Sequence, residues 1–243
     1  MKTKVQRTRR SHTGRFSRLF SITILTVFAL TVSAEERSSA KGIEENSQLP
    51  LLPAEGGPRR WQVKTGRTLN VRKAPSDDAK VIVILDAGVV LSNRGCERIE
   101  DRVWCDVSTL RKQQRGHVPA AALEPAIGPD GTMPVGVDDS PARARAGSFD
   151  AEGRIPCAQE RGQVMGECTA GVARGSGGDA TIVVSFANGF ARTLTFVHGE
   201  FVSASATMSG TGSDNDWSED DGLHRIRVDD QRYELSAELI SGP

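Results

Sequence analysis

The chain is poor in cysteine and in aromatic side chains, with four cysteines, one tyrosine and three tryptophans among 243 residues. No two cysteines stand in CxxC spacing and no histidine accompanies them, which argues against a zinc clip or a dithiol redox centre. No cysteine precedes Cys96, so an N-terminal lipid anchor is excluded. The chain also lacks an apolar run of the roughly 20 residues a bilayer-spanning helix needs. It carries no GxSxG nucleophile turn and no glycine-rich loop ending in GK[ST]. No basic stripe is long enough to follow a phosphate backbone, Arg143-Ala-Arg145 being too short to count as one.

The longest apolar stretch is LFSITILTVFALTV, Leu19 to Val32, and it follows seven Lys and Arg residues with no acid among them. A basic flank, a short apolar core and the small residues Val32-Ser33-Ala34 have the layout of a secretory signal, with cleavage expected after Ala34. Residues 1–34 are therefore expected to be a signal peptide, and the protein to be periplasmic or secreted and not membrane-spanning once the signal is cut. The remaining chain holds 24 Lys and Arg against 31 Asp and Glu. That balance of about −7 excludes nucleic acid as a partner.

Residues 35–58 are polar, rich in Pro, Gly and Glu, and without periodicity, which predicts a disordered lead-in. Residues 124–150 repeat that composition and predict a linker. Between and beyond them lie two blocks, 59–123 and 151–243, each with short apolar runs separated by turn residues. The fold class expected is all-β, a small barrel followed by a small antiparallel β-meander domain.

Each block holds two cysteines. In an exported chain that distribution predicts two disulfides, Cys96–Cys105 and Cys157–Cys168. With Glu100 and Asp101 at a hairpin tip, Cys96 faces Cys105 within disulfide reach. Alternation then sends Ile99 and Trp104 to the opposite face, where a core is expected.

The first block offers the residues of a known pattern. TLNVRKAPS, with Leu69, Asn70, Val71, Arg72, Pro75 and Ser76, is followed by Val81-Ile82, Gly88, Trp104, and a closing Gly116, Val118 and Leu123. This resembles the bacterial SH3-like domain, whose LNVR-x-x-PS opening is closed by GWV-x-x-x-x-L, and the likeness covers nearly the whole block. His117 stands where the closing motif has tryptophan. The resemblance implies an SH3-like barrel that binds wall peptides through an aromatic groove, so Trp61, Arg72, Trp104 and His117 are the ligand-binding candidates. The residues themselves also allow plainer roles: a hydrogen bond that fixes a strand-to-turn corner for Arg72, a place in the core for Trp104, and a half-exposed strand position for His117.

The second block shows hairpin signals at Asn188-Gly189, His198-Gly199, Asp221-Gly222 and Asp229-Asp230. A meander of five or six strands is expected, with SAELIS as a final helical turn. Its opening PCA-x-x-x-GQ-x-MG-x-C and its RYE ending resemble a C-terminal module found beside SH3-like domains in exported proteobacterial proteins, from which no functional residue carries over.

Three constellations resemble chemical sites. Asp214, Asp216, Ser218 and Asp220 alternate like the first ligands of a calcium loop, but Glu219 and Arg225 stand where an EF-hand needs glycine and glutamate, so a solvated acidic loop is expected. RGSGGDA, Arg174 to Ala180, reads as a mobile hairpin connection. His198 and His224 have no nucleophile turn to serve.

No catalytic residue, metal site or cofactor is assigned. The function expected is an exported cell-envelope binding protein that recognises peptidoglycan or a periplasmic protein. A cell-wall hydrolase would require a deep polar pocket around His198 or His224. An inhibitor or accessory subunit would expose Phe190, Phe201 or Trp217.

Overall fold

A computed structural model describes residues 49–66, 68–206 and 214–242. The expected signal peptide lies outside these residues. Among them no helix is long and apolar enough to cross a membrane.

The protein is all-β, with two antiparallel sheets. The first contains β1 (Arg60–Val63), β2 (Leu69–Arg72), β3 (Val81–Leu85), β4 (Val90–Ile99), β5 (Arg102–Thr109), β6 (Arg115–Pro119) and β7 (Leu123–Pro125), in the order β3-β2-β6-β5-β4-β1-β7. Its strands are short and alternate apolar with polar residues, so one face is buried. Trp61, Val63, Leu69, Val71, Leu91, Cys105, Val107 and Val118 form that core.

One bulge sets the register of the cysteine hairpin. Asn93 pairs with Val107 and Cys96 with Cys105, so β4 spends one more residue than β5 between the two pairs. Gly95 occupies the bulge at φ +119°, a conformation that favours glycine, and donates its N–H to Asn93 Oδ1 at 2.9 Å. A Cβ at that position would sit 2.8 Å from Leu52 Cδ2. The disulfide between Cys96 and Cys105 then closes a hairpin whose tip is Glu100-Asp101.

Alternation does place Trp104 opposite the disulfide, but the core is on the disulfide's side. Cys105 is fully buried in it and Cys96 packs against it, whereas Trp104 is buried outside that cluster.

The second sheet is a meander of eight strands, more than the five or six expected: β8 (Ala151–Ala158), β9 (Gly166–Arg174), β10 (Ala180–Ser185), β11 (Ala191–Val197), β12 (Glu200–Ala204), β13 (Asn215–Asp220), β14 (Leu223–Val228) and β15 (Gln231–Ser236). The order β12-β11-β10-β9-β8-β15-β14-β13 joins every pair of sequence neighbours except β12 and β13, and β15 returns to pair with β8. The sheet therefore rolls up and leaves one seam. The hairpin signals hold: His198 and Gly199, and Asp221 and Gly222, have positive φ in two-residue turns, as the tight primed turns require. The Cys157–Cys168 disulfide ties β8 to β9. The chain ends in the helix Ala237–Ser241, capped by Ser236, whose side chain accepts from the Leu239 N–H.

The seam is spanned from inside. Arg192 of β11 is fully buried and donates to the Ser205 carbonyl, to Gln231 Oε1 at 2.9 Å and to Asp229 Oδ2 at 2.9 Å. Further along, the Phe196 ring meets the His224 ring edge-on at 5.4 Å. Phe201 is in the core, and Phe190 and Trp217 pack half-buried against it, so these three rings present no exposed patch.

The segment between the sheets is ordered by contact. It carries the helix α1 (Ser140–Arg145), whose Ser140 hydroxyl lies 3.0 Å from Thr181 Oγ1 of β10. Arg59 donates to the Val135 carbonyl and to Ser176, and Pro58 bridges to Val135.

Candidate functional site

A groove of about 430 Å³ opens on the first sheet between two turns, lined by Pro75 to Asp78 of the β2–β3 connection and by Ile99 to Arg102 and Trp104 of the cysteine hairpin. Both walls are held by local chemistry. The β2–β3 connection folds on Ser76, whose Oγ accepts from the Asp78 N–H and whose carbonyl accepts from Ala79. Arg72 closes its base, donating from Nη1 to the Ala79 carbonyl at 2.8 Å. The opposite wall is stapled by Cys96–Cys105 four residues from the hairpin tip.

The floor is Trp104, 3% exposed. It lies on the face opposite the first sheet's core together with Ile99 and Arg102, as the two-residue repeat of a strand dictates. The Arg102 guanidinium sits 5.7 Å from the Trp104 ring centroid and is ion-paired with Asp77. Four carboxylates, Asp77, Asp78, Glu100 and Asp101, thus face one guanidinium. Such a groove attracts cations and repels anions. Its apolar floor favours a flat or aliphatic group carrying positive charge.

Of the four ligand-binding candidates, only Trp104 lines this groove. Trp61 is a core residue between Leu91 and Pro125, its Nε1 buried without a partner. Arg72 has the corner-fixing role just described. His117 is half-buried on β6, opposite Arg72 and Asp106. The acids of the groove were visible in the sequence as two doublets, Asp77-Asp78 and Glu100-Asp101, each at the tip of a connection. Nothing in their spacing says that the two tips meet.

The second polar cluster joins the sheets. Asp179 accepts two hydrogen bonds from Arg60 Nη2 and one from the His198 backbone N–H at 3.1 Å. Arg59 Nε lies 3.1 Å from its other oxygen, without hydrogen-bond alignment. Burial pushes the Asp179 carboxyl up, against the pull of both guanidiniums, and pushes Arg60 down. The glycine-rich stretch that was expected to be a mobile connection is therefore a buried anchor. Its Gly177 N–H is held by Asp130 and Thr132, and Asp179 sits beneath Arg59 and Arg60.

A cleft of about 450 Å³ lies above, with Thr109 to Lys112 on one wall and His198 and Glu200 on the other. Burial lowers the pKa of His198. His224 is likewise lowered by burial, and its Nδ1 accepts from Trp217 Nε1 at 3.1 Å, which commits that nitrogen and leaves the proton on Nε2. Arg111, in the β5–β6 turn, lies over the Trp217 ring at 5.0 Å from its centroid.

The acidic run is strand β13, with Asp214 paired to Arg227 and Glu219 accepting the Gly222 N–H. Among the described residues no group of three His, Cys, Asp or Glu side chains is placed to hold a metal ion. In comparisons with protein-family models, curated proteins and solved structures, the chain matches none.

Proposed function

We propose that the protein is an exported cell-envelope binding module, in which an SH3-like first barrel recognises peptidoglycan or a periplasmic protein and the eight-stranded meander serves as its rigid support. The groove floored by Trp104 carries this reading. It is concave, it combines an aromatic floor with polar walls, and both walls are fixed before any ligand arrives. The two disulfides are compatible with an oxidising compartment outside the cytoplasm, and the basic-then-apolar N-terminus supplies the route to it.

Co-sedimentation of the purified chain with peptidoglycan sacculi, and pull-down from a periplasmic extract, test the proposal. Retention on at least one is expected, with loss when Asp78 and Asp101 are both changed to Lys. Retention on neither overturns it.

A further inference from the structure

Resting on that reading of the groove, we infer that its ligand presents a guanidinium or ammonium side chain from a peptide, and that Arg102 occupies this place until the ligand arrives. Arg102 is already bound as such a ligand would be. Its guanidinium lies over the Trp104 ring at 5.7 Å and pairs with Asp77, so aromatic and carboxylate recognise it together. The arrangement is loose. The Arg102 and Asp77 side chains are 52% and 65% exposed, and an ion pair at that exposure is easily exchanged.

The groove also holds more negative charge than Arg102 can balance. Among the described residues, Asp78, Glu100 and Asp101 make no ion pair, although all three line the same space. The cavity, at about 430 Å³, exceeds what one guanidinium fills. An incoming cation can therefore displace Arg102 from Trp104 or bind beside it on the free carboxylates. An anionic ligand meets four carboxylates and has only Arg102 to pair with.

This assigns Arg102 a role opposite to that of a contact residue. If Arg102 held the ligand, removing it would weaken binding. As an internal competitor, its removal strengthens binding of cations.

Two-dimensional NMR of the full chain, following the Trp104 indole N–H, can separate these cases. The probes are the blocked tripeptides acetyl-Gly-Arg-Gly-amide and acetyl-Gly-Lys-Gly-amide, with the uncharged citrulline tripeptide as control. Arg102→Ala should bind the arginine tripeptide roughly 2- to 5-fold more tightly than the parent chain, as expected for an exposed cation–aromatic contact, and Asp77→Asn should bind it more weakly. Arg102→Gln, which keeps the aliphatic stem, should behave like Arg102→Ala. Unchanged or weaker binding by both Arg102 variants overturns the inference, as does an equal response to citrulline. Retention of the parent chain by envelope material with no gain in the Arg102 variants removes this inference alone. Tripeptide binding without any envelope retention removes the functional reading alone.

Discussion

Arg60 and Asp179 meet across the two sheets through hydrogen bonds of 2.7 and 2.8 Å, with both side chains at least nine-tenths buried. Arg59 shares the same carboxylate. A single carboxylate is therefore shared by two guanidiniums taken out of water, at the point where the β9–β10 turn of the second sheet reaches β1 of the first.

Removing that anion should be costly. Asp179→Ala leaves Arg59 and Arg60 buried without the carboxylate they share, a change worth about 3–5 kcal/mol in comparable buried pairs. Urea denaturation should show the loss, and the parent chain's unfolding should split into two transitions as the sheets uncouple. A loss below about 1 kcal/mol with one transition retained would show that the ion cluster does not hold the sheets together.

Arg192 should hold the seam. Its donors reach Ser205 on one side and Asp229 and Gln231 on the other. In Arg192→Met, hydrogen exchange is expected to accelerate in β12 and β13 well before it does in β9 and β10, which are paired on both edges. Uniform acceleration across the eight strands would contradict a local role.

Acid should weaken the fold through the buried His224 and the half-buried His198. His198 and His224 have pKa values lowered by burial from an ordinary 6.5. The unfolded chain then takes up protons before the folded one does. The stability they contribute is full above about pH 6.5 and is lost as pH falls from there through the lower folded values, by up to ~1.4 kcal/mol per pH unit for the buried His224 and less for His198, which solvent screens. His224→Phe should flatten part of that slope in denaturation curves taken between neutral and mildly acidic pH. An unchanged slope would place the titration elsewhere.

The disulfides should be separable in effect. Peptide mapping without reduction should return Cys96–Cys105 and Cys157–Cys168 as the two links. Removing either by paired Ser substitution should cost ~2.5–3 kcal/mol on the chain-entropy account of loops this short. Only the first removal should also weaken groove binding, because Cys96–Cys105 braces the wall that carries Glu100 and Asp101.

Much of this was legible in the residues. His198-Gly199 and Asp221-Gly222 announce their hairpins because few other pairs accept positive φ at both positions of a tight turn, and Asn188-Gly189 marks its longer loop through the positive φ of Gly189 alone. The cysteine pairing followed from nearness within each block. The burial of Trp104 and its place on the face opposite the disulfide were legible too, but not that the core lies on the disulfide's side, because the alternation of one hairpin does not say which of its faces the other strands cover. Strand β8 was missed because Gly153 and Pro156 break its apolar pattern, yet its pairing with β9 and β15 is set by the rolled sheet as a whole. Asp179 was hidden inside a glycine-rich run whose composition reads as a loose turn. Its importance comes from Arg59 and Arg60, some 120 positions earlier, and no local pattern carries that information.

The measurement that bears most directly on the central claim is retention of the purified chain by peptidoglycan sacculi and by immobilised periplasmic proteins, compared with that of the Asp78→Lys/Asp101→Lys variant. Both changed residues are exposed, so the fold should survive. The account predicts that the parent chain is held by one of the two materials and that the variant is washed off at the same salt concentration. Equal retention of parent and variant would contradict it, since the ligand would then be bound away from the Trp104 groove.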